Sequence, residues 1–247
     1  MSTNTSGFTR GELIHTGKAN DVYKIPEDPF HLELDSTDRI SAGDGAKRDV
    51  IEGKGKVNNQ VSMAIFGQID EAGIPTHFVC PGTTESSKIV RKAKMIPLEV
   101  IGRFKTCGSF CKRYGCESMI PINPMGIEFC LKNDDLHDPF IPKYAIETLD
   151  ILDSAGITLI EEYTEKIGQI MFDSFDQLGL ELIDFKIEFG FDEESGDLIL
   201  CDEISPDTCR LLDKVTGESM DKDRFRKDMG NVQDGYLGVL ARLKNQS

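Results

Sequence analysis

Two neighbouring segments, IDFKIEF at 183–189 and LILC at 198–201, most constrain what this chain can fold into. The first alternates apolar and charged residues, which predicts a strand with Asp184, Lys186 and Glu188 on one face. The second is apolar at every position, which predicts a strand covered on both sides. An acidic turn separates them, so we expect a hairpin. Beside a covered strand, the charged face is expected to line a cavity, although a solvated outer face is the common alternative.

The hairpin also predicts a place for a cation. With a turn centred near Ser195, Glu188 lies opposite Asp202, within a residue or two of register. Two opposed carboxylates repel each other unless a cation sits between them. Magnesium commonly takes one or two protein carboxylates together with substrate phosphates. Lys186, on the same face, could then meet a phosphate or a polarised oxygen.

The overall charge argues against one class of partner. The 247 residues include 28 basic and 43 acidic ones, a formal net charge of −15, and phosphate backbones repel such a chain. A small phosphate, by contrast, needs only a local positive pocket. No apolar run of about 18 residues predicts a membrane span, and the first residues lack the apolar centre of an export signal. Seven cysteines, an odd number, fit a reducing, cytoplasmic compartment without a disulfide framework.

Hydrophobic periodicity predicts an α+β fold with two lobes. Residues 1–96 are rich in strands and contain one clear helix, from about Val57 to a stop signal at Gly73. Residues 97–247 follow a strand that crosses between the lobes at 95–98. The predicted features of this second lobe are the hairpin, an irregular Pro-rich stretch at 115–145 and amphipathic helices at 161–178 and 225–243. A cleft between two lobes is a common ligand site.

Shorter patterns bear on phosphate and metal binding. GKANDVYKI at 17–25 is typical of a flap that covers phosphates with its backbone and Lys18, although a plain hairpin turn is the commoner meaning. RFKTCGSFCKR at 103–113 gathers candidate anion contacts around a glycine, with a surface basic patch as the alternative.

Two other patterns do not predict a site. GTTESSK at 82–88 is close to a P-loop, but a serine replaces the second glycine, and we reject this interpretation. The cysteines of 107–116 lack the tighter spacing of zinc sites, so we expect buried thiols.

Nine segments, in chain order, resemble the SAICAR synthetase family of purine biosynthesis. They are GKANDVY, TDRISAGDG, GKGKVNNQ, EAGIPTHF, IPLEVIGR, FCLKNDDLHDP, LIDFKIEFG, DEISPDTCRLLDK and MDKDRFRKDMG. The resemblance runs from about residue 11 to residue 245, and DFKIEFG followed by DEISPDTCR is its most specific part. It implies a two-lobed SAICAR synthase-like fold, related to the ATP-grasp and kinase-like nucleotide clefts, in proteins that often form homodimers.

The resemblance also implies a reaction. ATP would activate the carboxylate of carboxyaminoimidazole ribotide, and the amine of L-aspartate would then attack it to give an amide, ADP and phosphate. An acyl phosphate is the expected intermediate. The residues agree with this chemistry, because phosphoryl transfer requires Mg²⁺ and lysines to offset charge and a ribotide phosphate requires arginines.

Matching positions imply the nucleotide and metal contacts. Glu188 and Asp202 would bind Mg²⁺. The other contacts would be the phosphate flap at Lys18 and Ala19, the lysines Lys186 and Lys132 on phosphates or the reacting carboxylate, and an adenine hinge from Met95 to Leu98.

The substrate contacts follow in the same way. Arg103, Ser109 and Arg210 would hold the ribotide phosphate, while Asp44 and Asp207 would line the substrate end, with Asp207 also a catalytic candidate. The chain departs from the family pattern at Asn20, where a second flap lysine is usual, and at Phe104 and Cys107 beside the phosphate site. We expect these changes to alter local packing and the grip of the flap rather than the chemistry.

Overall fold

The computed structural model describes residues 7–43 and 45–245, so the predicted substrate contact Asp44 lies outside the described residues. The first lobe contains seven strands and one long helix in its described part. These elements are β1 (Leu13–Thr16), β2 (Asn20–Lys24), β3 (His31–Ser36), β4 (Arg39–Ala42), β5 (Lys47–Val50), α1 (Lys54–Glu71), β6 (Phe78–Pro81) and β7 (Ser87–Arg91).

The rest of the chain, from residue 93 onwards, contains the remaining elements. Its elements are β8 (Ala93–Lys105), α2 (Gly108–Tyr114), β9 (Pro121–Leu131), a 3₁₀ turn (Asp134–Leu136), α3 (Lys143–Thr148), α4 (Ser154–Gln177), β10 (Leu180–Asp192), β11 (Leu198–Cys201), β12 (Cys209–Asp213), α5 (Asp223–Arg226) and α6 (Val232–Lys244). The predicted α+β, two-lobed fold is confirmed.

Each lobe is built around its own antiparallel sheet. The first has the strand order β1-β2-β3-β7-β6, and the second has the order β11-β10-β8-β9 with β12 also paired to β10. α1 turns its predicted apolar face, including Val57, Val61 and Ile65, into the core. Gly102 on β8 allows the sheet to pack tightly, because a Cβ there would stand 2.3 Å from the Phe185 ring.

The hairpin of β10 and β11 forms with a register one residue away from the predicted one. Glu188 pairs with Cys201 and Phe191 pairs with Leu198. Asp202 is therefore the first residue beyond the strand, and its φ of 62° places it in the left-handed region that non-glycine residues seldom occupy. This turn of the backbone, rather than strand pairing, directs Asp202 towards the charged face of β10.

Two predictions in the second lobe are wrong. The Pro-rich stretch contains β9, an eleven-residue strand, because it forms the edge of the sheet and an edge strand tolerates proline. The last predicted helix is broken into α5 and α6, since Asp228, Gly230 and Asn231 all have positive φ. α4 also begins earlier than predicted, at Ser154, where Asp153 caps it through the N–H of Gly156.

In the part of the chain that the structure describes, no helix is both long enough and apolar enough to cross a bilayer. All seven cysteines are free thiols. Of the three that were expected to be buried, Cys107 is buried, whereas Cys111 and Cys116 are partly exposed.

Candidate active site

Lys186 lies at the centre of a carboxylate cluster on the face of β10. Its Nζ is 2.6 Å from Glu188 Oε1, 3.2 Å from Glu99 Oε1 and 3.4 Å from Asp202 Oδ2. Lys132, just after β9, contacts the other oxygen of Glu188. Glu99 on β8 faces Glu188 directly across the sheet. Neighbouring strands therefore bring together four of the predicted residues and add Glu99.

The charges of this cluster perturb one another strongly. Burial by itself lowers the pKa of Lys186, but the charges of Asp202, Glu188 and Glu99 outweigh it and raise that pKa well above its usual value. Burial and the charge of Asp202 raise the pKa of Glu188. Burial alone would raise the pKa of Asp202, but the positive charges of Lys186 and Lys132 have the larger effect and lower it. The cluster holds three carboxylates against two ammonium groups, which favours a further cation.

The donor set fits Mg²⁺. Among residues 7–43 and 45–245, no three or more His, Cys, Asp or Glu side chains are arranged to hold a metal ion. Glu188 and Asp202 instead offer two carboxylates, the number that Mg²⁺ takes when substrate phosphates and water complete its shell. An ammonium group already contacts both of them, which indicates a negative potential at this point.

Arginines dominate the other end of the charged face of β10. Arg103 is 1% exposed, and its guanidinium donates to Glu128 at 2.8 Å, to Asp184 at 2.7 Å and to Ser109 at 3.0 Å. Arg210 on β12 reaches the same Asp184 oxygen at 2.6 Å. The predicted phosphate contacts Arg103, Ser109 and Arg210 thus form one cluster, organised by a carboxylate.

The departures at Phe104 and Cys107 change the walls of this cluster. The Cys107 thiol donates to Asp184 at 2.9 Å, and burial raises its pKa to about 12. Phe104 packs against Phe172 and Phe185, with ring centroids 5.1 and 6.3 Å apart. Both side chains therefore take part in packing while leaving the arginines in place.

The flap reaches across the cleft. Lys18, between β1 and β2, forms a 2.6 Å ion pair with Asp134 of the second lobe, and both side chains are mostly exposed. The backbone carbonyl of Ala19 accepts hydrogen bonds from Thr37. Asn20, in place of the usual lysine, is tied to the Ser36 hydroxyl at 2.8 Å. Of the lysines in this segment, Lys18 is the one that contacts the second lobe, and its side chain is mostly exposed.

The predicted adenine hinge lies where the two lobes join. Met95 is 43% exposed, whereas Leu98 is 1% exposed and packs in the core. The Leu98 side chain therefore belongs to the core, while its backbone pairs with Leu131 of β9. Pro97 interrupts the pairing of β8 with β10, and its carbonyl accepts from the N–H of Lys132.

Asp207 occupies a closed environment. One of its oxygens accepts from Lys54 Nζ at 2.7 Å and the other from the Tyr236 hydroxyl. These contacts connect α1, the segment after β11 and α6. The geometry favours a structural role for Asp207, and its catalytic role stays a prediction.

Sequence reasoning missed Glu99, Glu128 and the organising role of Asp184. A signal was available, because Glu99 and Arg103 are four residues apart in a strand and therefore share a face. Glu128 lies on the neighbouring strand β9, so its position beside Arg103 follows only when the pairing of β8 with β9 is known.

Comparison with known proteins gives a consistent result. A family model described as SAICAR synthetase matches residues 13–243. The phosphoribosylaminoimidazole-succinocarboxamide synthase of Streptococcus thermophilus is 44% identical over 233 residues, which cover 94% of this chain and 97% of that protein. The same enzyme of Caldanaerobacter subterraneus is 43% identical over 94% of this chain and 97% of its own length.

Solved structures agree with the sequence comparison. The synthase from Ehrlichia chaffeensis is similar with a TM-score of 0.90 and 36% identity, over 94% of this chain and 98% of that one. A SAICAR synthetase in complex with ADP gives a TM-score of 0.89 and 38% identity, over 95% of this chain and 98% of that one.

Proposed function

We propose a function for this protein from the premise that the chain belongs to the SAICAR synthetase family. It is an ATP-dependent ligase of purine biosynthesis that joins L-aspartate to carboxyaminoimidazole ribotide and yields SAICAR, ADP and phosphate. The ribotide carboxylate is activated as an acyl phosphate before the aspartate amine attacks it.

The observation that carries this proposal is the charged face of β10. Asp184 organises two arginines at one end, and Glu188 holds two lysines at the other, with Lys186 between them. Asp184 and Glu188 are four positions apart along the strand, or about 13 Å at about 3.3 Å per residue. That span allows one substrate to place its phosphate on the arginines and its reacting carboxylate beside Lys186.

The nucleotide side rests on the ADP-bound relative and on the lysine cluster. Glu188 and Asp202 would hold Mg²⁺, which offsets charge on the transferring phosphoryl group when bound. Lys186 and Lys132, both already against Glu188, would contact the phosphoryl oxygens or the reacting carboxylate. Lys18 and the flap backbone would cover the phosphates, and the segment from Met95 to Leu98 would contact adenine.

The substrate side follows the same strand. Arg103 and Arg210 would bind the ribotide phosphate, with Ser109 donating beside them, because arginines bind phosphate oxygens with paired N–H donors. Excluding water matters here, since an acyl phosphate would otherwise hydrolyse. The contact of Lys18 with Asp134 across the lobes supports such a closure.

The test is to measure ADP release with each component omitted in turn. We expect ADP only when the ribotide, L-aspartate and Mg²⁺ are all present, and an amide product. Glu188→Gln and Asp202→Asn should each lower kcat by about 100-fold or more, since the metal contributes several kcal/mol to such transition states.

Glu194→Gln is the matched control, because it lies exposed in the turn of the same hairpin. It should leave turnover unchanged. ADP release that does not depend on L-aspartate, or a phosphorylated product in place of an amide, would overturn the proposed reaction.

Three further properties are part of the proposal. The lobe boundary falls near residue 96, supported by the first sheet ending at Arg91 and the second beginning at Ala93. A homodimer follows the family pattern, and light scattering at several protein concentrations tests it. A cytoplasmic location is supported by the free thiols, and fractionation of the source cells tests it.

A further inference from the structure

We propose that Lys88 is a positioning residue for the active site, holding the segment Asp202–Glu203 from its buried side. The inference rests on the proposed function, because Asp202 is there a ligand of Mg²⁺. Lys88 is the last residue of the rejected P-loop-like stretch, and it lies in β7 rather than in a loop.

Lys88 is buried without a hydrogen bond. The residue is 0% exposed, and within the described part of the chain its Nζ has no hydrogen-bond partner. A bare ammonium group in a protein interior costs several kcal/mol. A lysine is therefore an unexpected residue at this place unless nearby negative charge requires it.

The negative charge is that of the segment after β11. Burial lowers the pKa of Lys88, while Glu203 and Asp202 are the charges that act in the opposite direction. Glu203 is also buried and accepts from Ser205 Oγ at 2.9 Å and from Asn58 Nδ2 at 3.4 Å. Asp202 is thus acted on both by the buried Lys88 and by the partly exposed Lys186 of the cluster.

Other unsatisfied polar atoms surround the same segment. His77 Nε2 and Asn58 Oδ1 are buried without partners, and the charges of Lys88 and Asp202 both act on His77. The N–H of His77 donates to Leu200 O at 2.8 Å, which places it against the end of β11. Buried polar side chains of α1, of β7 and of the residues before β6 therefore act on this segment.

Asp202 needs a support of this kind. Its backbone has the left-handed φ of 62°, and its carboxylate contacts Lys186 only at the long distance of 3.4 Å. Phosphates bound beside Lys186 would compete for its ammonium group and weaken that contact. Lys88 then remains as the cation that keeps the segment charged and in place.

Lys88 acts through Asp202 rather than on the nucleotide. Its Nζ is sealed from the cleft, whereas the Lys186 side chain is 26% exposed and the Asp202 side chain 25%. A phosphate contact by Lys88 would require the segment to open. Groups that orient metal ligands from behind typically change metal affinity by about 10- to 100-fold when removed.

The experiment compares Lys88→Met with Lys88→Arg in the full-length protein. ADP binding is measured by calorimetry with excess Mg²⁺ and again with EDTA, together with the melting temperature. For Lys88→Met we expect Mg²⁺-dependent ADP binding to weaken about tenfold or more. Binding in EDTA should stay within about twofold, and Lys88→Arg should recover most of the loss.

The direction of the change decides the question. Simple loss of a positive charge beside a carboxylate would tighten metal binding, so unchanged or tighter Mg²⁺-dependent binding overturns the proposal. Equal weakening with and without Mg²⁺ also overturns it, because Lys88 would then act on the nucleotide itself. In an Asp202→Asn background, Lys88→Met should add little.

Folding is separated from positioning by a second variant. If Lys88→Met does not fold, Lys88→Gln is measured in the same way, and failure of both to fold assigns Lys88 to stability and overturns the proposal. Failure of the proposed function looks different: the unmodified protein would then show no Mg²⁺-dependent ADP binding at all.

Discussion

Lys54 and Lys88 both belong to the first lobe and both are buried to 1% exposure or less, yet they have opposite surroundings. Lys54 Nζ donates to Asp207 at 2.7 Å, and Asp207 in turn accepts from Tyr236. Lys88 Nζ has no hydrogen bond in the described part of the chain. Burial alone therefore does not tell what a lysine does; its partner does.

This difference in hydrogen bonding distinguishes a lysine that stabilises the fold from a lysine that we propose to support the active site. Lys54 completes a closed network between α1 and α6, in which each polar group has its partner, and such networks rigidify a core. Lys88 is acted on by the charges of Glu203 and of Asp202, the metal ligand of the proposed function. An incomplete network beside an active site indicates a site whose partners change during the reaction.

The largest expected effect is at Lys54. Lys54→Met leaves the Asp207 carboxylate buried without its ammonium partner, so we expect the free energy of unfolding to fall by about 3 to 5 kcal/mol. Urea melts followed by circular dichroism measure it. Lys56→Met, which removes the surface pair with Glu85, is the control and should cost less than about 1 kcal/mol. A loss at Lys54 as small as at Lys56 would erase the distinction drawn between the two buried lysines.

A smaller, pH-dependent effect is expected at His77, the neighbour of Lys88. Burial and the charge of Lys88 lower the pKa of His77 to about 3. Because this folded-state pKa lies below the unfolded value, the unfolded chain binds the proton first, and stability is lost as pH falls from about 6.5 towards 3. The contribution reaches about 2 to 3 kcal/mol at pH 4.5.

Urea melts between pH 7 and pH 4.5 test this prediction with His77→Gln. The variant should lose less stability over that range than the unmodified protein, and Lys88→Met should also flatten the slope. His15→Gln, at an exposed position, is the control and should follow the unmodified protein. Parallel slopes for His77→Gln and the unmodified protein would contradict the assigned burial effect.

The smallest effect is expected at the exposed Lys18. Its 2.6 Å ion pair with Asp134 is solvated, so Lys18→Ala should change the free energy of unfolding by about 0.2 to 1 kcal/mol at low salt. The difference should disappear near 1 M NaCl, where charges are screened within about 3 Å. A loss above about 2 kcal/mol that salt does not reduce would show that the flap is part of the folding core.

Much of the site could be predicted because strand periodicity is local. The alternation at 183–189 correctly placed Asp184, Lys186 and Glu188 together, and the resemblance supplied Asp202 and Arg210 from one further segment. The predicted register of β10 and β11 was wrong by one residue. An alternating pattern does not encode the geometry of the turn or the left-handed backbone of Asp202. β9 was missed because its prolines are acceptable only at a sheet edge, which the sequence does not reveal.

By itself, the sequence determined the two lobes, the main helices and the charged face of β10, because these depend on periods of 3.6 and 2 along the chain. Only the tertiary structure decided which charges meet. Lys54 and Asp207 form an ion pair although they are 153 residues apart in the sequence, and Lys186 and Glu99 do so at a separation of 87 residues. Pairing over such distances depends on how the sheets and α1 pack. No local sequence pattern therefore predicts that the buried Lys54 has a hydrogen-bond partner and that the buried Lys88 has none in the described part of the chain.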